Sequence, residues 1–249
     1  HSFATGPARD AAGNFYVMLT GHRTIYDVPF MGWCMKVSRE AGRTLGSDVP
    51  AFAHRFTIEG FCSGLRVPNG FGEFDGEPFM ADNQGHWIPA NKLNHLQPGK
   101  FFGHPSSKPA PLAQFNGDPQ FTRPAIWFPY SWVRSASGLA TIADDRFGPF
   151  KGQMLVGEFQ NASVVRVALE KVNGQWQGAV FPFVKGFASG VNRIAFGPDG
   201  KLYAGGLRMG HWTSIAPQPH SLDRVSFTGR VPFEIKEVHA QPGGFELTF

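Results

Sequence analysis

One short pattern recurs along this chain and limits what it can fold into. It appears as FATGPARDAAGNFYVMLTG from Phe3, FCSGLRVPNGFGEFDGEPFMADNQG from Phe61, SASGLATIADDRFGPFKGQMLVGEF from Ser135 and FASGVNRIAFGPDGKLYAGG from Phe187. Each copy has a small residue and glycine, then a short strand, a tight turn and a second short strand. The marker glycines Gly6, Gly64, Gly138 and Gly190 are 58, 74 and 52 residues apart. Ala12-Gly13, Asp75-Gly76 and Asp199-Gly200 supply the positive φ that tight hairpin turns need. Apolar strand residues follow: Phe15-Tyr16-Val17, Pro78-Phe79-Met80 and Leu202-Tyr203-Ala204. One such sheet cannot bury both of its faces, and stacking copies around an axis does. Glycine, turn and strand also recur by chance in β proteins, but four copies with a shared lead-in argue against chance. Units of roughly 40–50 residues, each a four-stranded sheet, mark a β-propeller.

Composition agrees with an all-β chain. The 31 glycines and 20 prolines supply turns, and 25 phenylalanines with 6 tryptophans suit strands. Hydrophobic residues at 42% can pack a core, and 17% charged residues is too few for a disordered chain. The net charge of +4 is spread thinly, with no run of like charges, which argues against a nucleic-acid partner. No apolar run approaches the roughly 18 residues of a membrane span. Cys34 and Cys62 are too far apart for a CxxC motif; they either pair in space or stay as two buried thiols. GxSxG, Walker and HExxH motifs are absent.

The chain reads as a single propeller domain over residues 1–249, or a fragment of one, since no Met and no signal peptide precede His1. The long 74-residue interval is predicted to hold an inserted loop at 86–134, rich in Pro, aromatics and His, with little periodicity. Long ordered loops on rigid scaffolds often carry function; an elaborate blade connection is the other reading. After the last repeat, SLDRVSFTGRVPFEIKEVHAQPGGFELTF alternates again and stops at Phe249 in apparent mid-strand. Four copies could close a small ring.

The stretches RVPNGFGEFDGEPFMADNQGHWIPANKLNHLQPGKFFGHP, FGPFKGQMLVGEF, GQWQGAVFPF, NRIAFGPDGKLYAGG and VPFEI…QPGGFELTF carry a resemblance. The chain resembles the glucose/sorbosone dehydrogenase family of six-bladed propellers, and within it the bacterial membrane-bound dehydrogenase branch, often fused to cytochrome c domains. The resemblance implies an incomplete part of a six-bladed ring, with about four blades present. It implies pyrroloquinoline quinone (PQQ) and Ca²⁺ on the propeller axis. It implies a His that takes the proton of a sugar hydroxyl while hydride moves to the quinone, an Arg against the quinone oxygens, and backbone carbonyls of a glycine-containing loop on Ca²⁺.

The same resemblance assigns residues. The family pattern Gly-His-Arg-Asn-Pro-x-Gly reads here Gly64-Leu65-Arg66-Val67-Pro68-Asn69-Gly70, so Arg66 matches the quinone-contacting Arg. Leu65 and Val67 replace a His and an Asn, removing polar contacts. Asp82-Asn83-Gln84-Gly85-His86 matches the Ca²⁺ loop, with Gly85 and His86 as carbonyl donors and Asp82 and Asn83 near substrate. Ile88-Pro89-Ala90-Asn91-Lys92 stands where the family's next acidic pair would be. His1, two residues further from Gly6 than the family spacing, is the candidate base.

Other candidates come from the residues themselves. Trp87, Trp127, Tyr130 and Trp132 could stack on a sugar ring or pack a core. Repeat geometry points Asn192, Arg193 and Arg208 at the same central face as Arg66, and Asn69, in the stretch that matches the family pattern, is a further candidate for cofactor binding. Arg66 could instead close a blade through backbone carbonyls, and Asp82-Asn83 could be a plain turn. His86, His95 and His104 suit packing or surface roles as well as ligation. His-Trp pairs at His86-Trp87 and His211-Trp212 follow the closing glycine of two repeats. The first functional reading is a sugar or alcohol dehydrogenase-like propeller, periplasmic or extracellular. It would pass electrons to a cytochrome supplied elsewhere, since the chain lacks CxxCH. The second is a non-catalytic propeller that binds a glycan or protein. The third is a metal-dependent lactone hydrolase on the same fold, using Asn69, Asp82 and Asn192.

Overall fold

The hairpins form where the turn chemistry allows them. In the computed structural model, which describes residues 3–21, 29–39, 56–85, 87–105, 121–208 and 213–249, Asp75 (φ 51°) and Gly76 (φ 72°) both take the left-handed region. Two such residues make the turn whose twist matches its strands. They join β5 (Pro68–Phe74) to β6 (Glu77–Asp82), with Phe74 opposite Glu77. Gly13 and Gly200 do the same service in their hairpins at φ 87° and 73°.

The chain divides into two compact units, His1–Val67 with Leu96–Thr122, and Pro68–His95 with Arg123–Phe249. The first holds β1 (Ala4–Arg9), β2 (Phe15–Leu19), β3 (Trp33–Arg39) and β4 (Phe56–Ser63), an antiparallel sheet in that order. Cys34 lies directly opposite Cys62 across β3 and β4. Both are free and buried, and hydrogen bonding to Cys34 together with burial pushes the Cys62 thiol up. Of the two readings open from sequence, the buried thiols hold. Gly64 (φ +85°) packs on the segment around Phe102: a Cβ there would lie 2.4 Å from the Phe102 amide nitrogen. The His104 amide donates to the Gly64 carbonyl at 2.9 Å.

The second unit holds three further sheets and a hairpin. β5 and β6 continue into β7 (Lys92–His95) and β8 (Ile126–Trp127). The stretch 86–134 therefore supplies the outer two strands of this sheet. The next sheet is β9 (Ala136–Thr141), β10 (Met154–Glu158), β11 (Ser163–Val172) and β12 (Gln175–Lys185). Then come β13 (Gly190–Phe196), β14 (Leu202–Leu207) and β15 (His220–Val225), followed by the hairpin β16 (Glu237–Gln241) and β17 (Gly244–Thr248). These sheets are the blades of a β-propeller, and the all-β expectation holds.

Side-chain alternation with period two explains the stacking. On β10 and β11, Met154, Val156, Val165 and Val167 face a core shared with Phe79 and Leu93 of the preceding blade. Leu155 and Val164 face the opposite core, with Val191, Ile194 and Leu202 of the following blade. Each such burial contributes about 1.5–3 kcal/mol.

Near the hub the inner strands β5, β9 and β13 run side by side in the same direction, and glycine makes the approach possible. A Cβ on Gly70 would lie 1.9 Å from the Ser137 carbonyl oxygen, and one on Gly138 would lie 2.8 Å from the Ile194 nitrogen. The Ser137 hydroxyl donates to the Val191 carbonyl at 2.7 Å, and the Thr141 hydroxyl to the Glu73 carbonyl at 2.5 Å. Gly70, six residues beyond the marker Gly64, is thus the hub counterpart of Gly138.

The terminal hairpin is fixed to the blade of β9–β12 by a buried cation. Arg166 on β11 is fully buried between Phe150 and Phe181, its guanidinium carbon 4.2 and 4.5 Å from their ring centres. It donates to the carbonyls of Ile235 and Lys236, both at 2.8 Å, to Gln153 Oε1 at 2.5 Å and to Glu234 Oε1 at 3.1 Å. Glu170 adds contacts to the Ala240 amide (3.0 Å) and to His239 (3.3 Å).

Candidate functional site

Strand alternation decides which residues share an end. In the second unit β5, β9 and β13 start at one end of their blades, and β6, β10 and β14 finish there. Asn69, Asn192 and Arg193 lie near the starts. Asp82, Asn83, Gly85 and Trp87 lie where β6 gives way to β7, Arg208 just after β14, and Trp127 and Trp132 at and after the end of β8. All ten therefore belong to one end of these blades.

A repeated backbone irregularity turns two of them toward each other. Each inner strand carries a register shift near that end: at Asn69 between Pro68 and Gly70, at Asn192 between Val191 and Arg193, and around Ser137-Gly138 opposite Val156 and Glu158. Such bulges bend a strand and re-aim a side chain. Asn69 Nδ2 donates to Asn192 Oδ1 at 3.1 Å, although β9 lies between their strands. Gly138 of β9 lets the backbone at Arg193 and Ile194 approach closely: a Cβ there would lie 3.0 Å from Arg193 Cα. Arg193 Nη1 donates to Asn69 Oδ1 (2.9 Å), Asn192 Oδ1 (3.2 Å) and the Asn192 carbonyl (2.8 Å).

The electrostatics of this cluster are one-sided. Arg193 is exposed, and desolvation alone pulls its pKa below the ordinary guanidinium value. An arginine stays charged under such a shift. Its hydrogen-bond acceptors are amide oxygens only, and no carboxylate compensates it. Nη1 is held, while Nε and Nη2 have no partner among the described residues. An oriented cation with one open edge suits a planar anionic group.

The remaining sequence-derived residues take varied positions. Asp82 is fully buried and bonded to Lys92 Nζ at 2.8 Å. Asn83 is buried and donates to the Ala136 carbonyl at 3.1 Å. The loop after them is shaped by buried Asn91, which accepts from the Gln84 amide and donates to the Val133 carbonyl. The Gly85 amide donates to the Ile88 carbonyl. Trp87 (50%), Trp127 (44%) and Trp132 (37%) stay exposed, as a platform requires and a core does not. Arg208 is exposed, its amide bonded to the Pro219 carbonyl. Arg66 is half-buried in the first unit, where its carbonyl accepts from the Gly21 amide at 2.8 Å. Leu65 beside it is wholly buried. His95 is bonded to Glu77 at 2.6 Å and stacked on Phe79. His1, His86, His211 and Trp212 lie outside the described residues. Among the described residues no group of three or more His, Cys, Asp or Glu side chains could hold a metal, and no helix is long and apolar enough to cross a membrane.

Sequence reasoning missed Glu158. This fully buried carboxylate ends β10 and accepts from the amides of Arg134 (3.1 Å), Ser135 (2.9 Å), Gln160 (3.1 Å) and Asn161 (2.5 Å). Burial pushes its pKa up, and those amides oppose the rise. Its one signal was an acid closing the apolar run MLVGE.

Comparison with known proteins joins this geometry to a lineage. The sequence profile of the glucose/sorbosone dehydrogenase family matches residues 73–206. Among solved structures, a glucose dehydrogenase is similar with a TM-score of 0.63 and 20% identity, over 91% of this chain and 64% of that one. The soluble aldose sugar dehydrogenase of Escherichia coli follows at 0.58 and 18%, over 82% and 61%. The PQQ-bound aldose sugar dehydrogenase of Streptomyces coelicolor stands at 0.57 and 14%, over 86% and 58%. At these identities the likeness is one of fold, and the chain spans less than two thirds of each structure. No curated protein matches. The matched residues run from β5 to β14, through both bulged asparagines' blades and more than half of the sequence, and on that ground the chain belongs to the glucose/sorbosone dehydrogenase family.

Proposed function

We propose that the protein oxidises a hydroxyl of a carbohydrate or related alcohol with pyrroloquinoline quinone, in the periplasm or outside the cell. One observation carries this reading: an uncompensated Arg193, held by two bulge asparagines at the end of the blades where three tryptophans are exposed. PQQ is an anionic, planar carboxylated quinone, and the open edge of Arg193 fits that charge and shape. When bound, the cofactor accepts the two electrons taken from the alcohol carbon. Arg193 and Arg208 would place positive charge where those electrons arrive, and the family pattern gives Arg66 the same role. Asn69 and Asn192 hold Arg193 so that little reorganisation accompanies binding. Trp87, Trp127 and Trp132 would orient the sugar, and His1 would take the hydroxyl proton. A cytochrome c would receive the electrons.

Calcium fits less well. In this reading the carbonyls of Gly85 and His86 hold it, but the nearest carboxylate, Asp82, is neutralised by Lys92. Ca²⁺ affinity rises with ligand charge, so this loop would bind the ion weakly. The buried Leu65, apolar where the family pattern has His, favours a second reading, a non-catalytic propeller for a glycan or protein.

Titration of the full-length protein with PQQ, followed by tryptophan fluorescence, separates the two. Saturable quenching is expected, with Arg193→Gln weakening binding at least about tenfold, about 1.4 kcal/mol, at unchanged thermal stability. Dye reduction with aldoses then follows. No quenching at high PQQ would end the dehydrogenase reading and leave the second.

A further inference from the structure

We infer that the blade of β9–β12 carries a separate binding site for a single acidic sugar ring, a uronic acid, distinct from the Asn69–Asn192–Arg193 cluster. A cavity of about 240 Å³ opens between the chain after β8, the β10–β11 turn, the end of β12 and the segment around Ile215. It is lined by Ser131, Trp132, Asn161, Ser163, Phe183, Lys185 and Ile215 among others. Small-molecule sites commonly measure roughly 300–1,000 Å³, so this one holds one ring rather than two.

The lining has the chemistry of a sugar site. Trp132, Phe183 and Ile215 offer apolar surface to ring C–H groups. Ser131, Ser163, Asn161 and Lys185 line the cavity, and Ser131 Oγ, Ser163 Oγ, Asn161 Oδ1 and Lys185 Nζ have no hydrogen-bond partner among the described residues. Hydroxyls and an amide oxygen suit ring hydroxyls, and no acidic side chain is among the lining residues. Lys185, the one charge, selects a carboxylate over a neutral sugar.

The floor is rigid before any ligand arrives. Buried Glu158 gathers the amides of Arg134, Ser135, Gln160 and Asn161 and so fixes both the approach from β8 and the β10–β11 turn. Asn161 Nδ2 donates to the Trp132 carbonyl at 3.4 Å, and the Gln160 carbonyl accepts from the Ile215 amide at 2.9 Å. Preorganisation of this kind lowers the entropic cost of binding. The inference is independent of the quinone reading, since the residues differ apart from Trp132.

Isothermal titration of the full-length protein with glucuronate, glucose and inorganic phosphate tests it. Glucuronate is expected to bind at least fivefold more tightly than glucose. Lys185→Ala should abolish that preference, and Ile215→Trp, which fills the mouth, should abolish the glucuronate-preferring binding event while leaving any sugar binding at the proposed dehydrogenase site untouched. PQQ titrations of both variants should match the parent, so failure here is distinguishable from failure of the quinone reading. Equal binding of glucuronate by the Lys185→Ala variant, or phosphate binding as tightly as glucuronate, would overturn the proposal.

Discussion

Gly70→Ala is expected to destabilise the protein by about 3 kcal/mol, at the upper end of overpacking effects. The added carbon would sit 1.9 Å from the Ser137 carbonyl oxygen, an atom of the neighbouring inner strand that cannot swing aside. Relief requires β5 and β9 to separate, which also loosens the Thr141–Glu73 bond and the packing of Leu139 on Gly72. Gly174→Ala is the control. Its Cβ would meet nothing within 4 Å, so only the strain of φ +76° remains, about 1 kcal/mol. Urea denaturation of both variants checks the comparison. A smaller loss for Gly70→Ala than for Gly174→Ala would mean that the inner strands do not approach this closely.

Arg166→Met should cost about 3–5 kcal/mol, since it strips donors from several acceptors at roughly 1–3 kcal/mol each, while Glu234, partly exposed, is left to solvent. Methionine roughly fills the space between Phe150 and Phe181, so lost volume is a small part of the effect. What is lost is the donor set: the carbonyls of Ile235 and Lys236 and the amide of Gln153 each lose a bond. The cation–π contacts to two rings go as well, worth about 2 kcal/mol when desolvated. Arg166 and Glu170 hold the terminal hairpin to β11, and Gln153 Nε2 donates to the Lys236 carbonyl at 2.9 Å. Limited proteolysis should therefore cut first within residues 233–241 in the variant. Cleavage elsewhere at an unchanged rate in that segment would show that other contacts hold the hairpin.

The local hairpins were readable because their causes are local. Asp75-Gly76 and Asp199-Gly200 state their turns within two residues, and the apolar strands follow at once. Features that depend on two strands were not readable. Asn69 and Asn192 look alike only once their bulges are set against Ala81 and Gly205 on neighbouring strands. Gly64 and Gly70 are both plausible hub glycines in a string, and inter-blade packing alone distinguishes them. Asp82 reads as an acid near a ligand loop, but its partner Lys92 lies on β7, inside a stretch too irregular to read as strand. Asn192, Arg193 and Arg208 were expected on one central face; the contact that Asn192 and Arg193 make with Asn69 had no sequence signal. Charge partners across strands carry no periodic signal, so neither the pairing of Asp82 nor the amide-bound Glu158 had a pattern to betray it.

The meeting of two bulged inner strands over a glycine gap can be measured without any cofactor. In a Cys34→Ser, Cys62→Ser background, Asn69→Cys and Asn192→Cys place two thiols where two amides now bond at 3.1 Å. A short bismaleimide should then link residues 69 and 192 rapidly and stoichiometrically in the folded protein, seen as one cross-linked tryptic peptide by mass spectrometry. Two separately labelled thiols with no cross-link would mean that the blades of β5 and β13 do not converge, and that the shared polar floor does not exist.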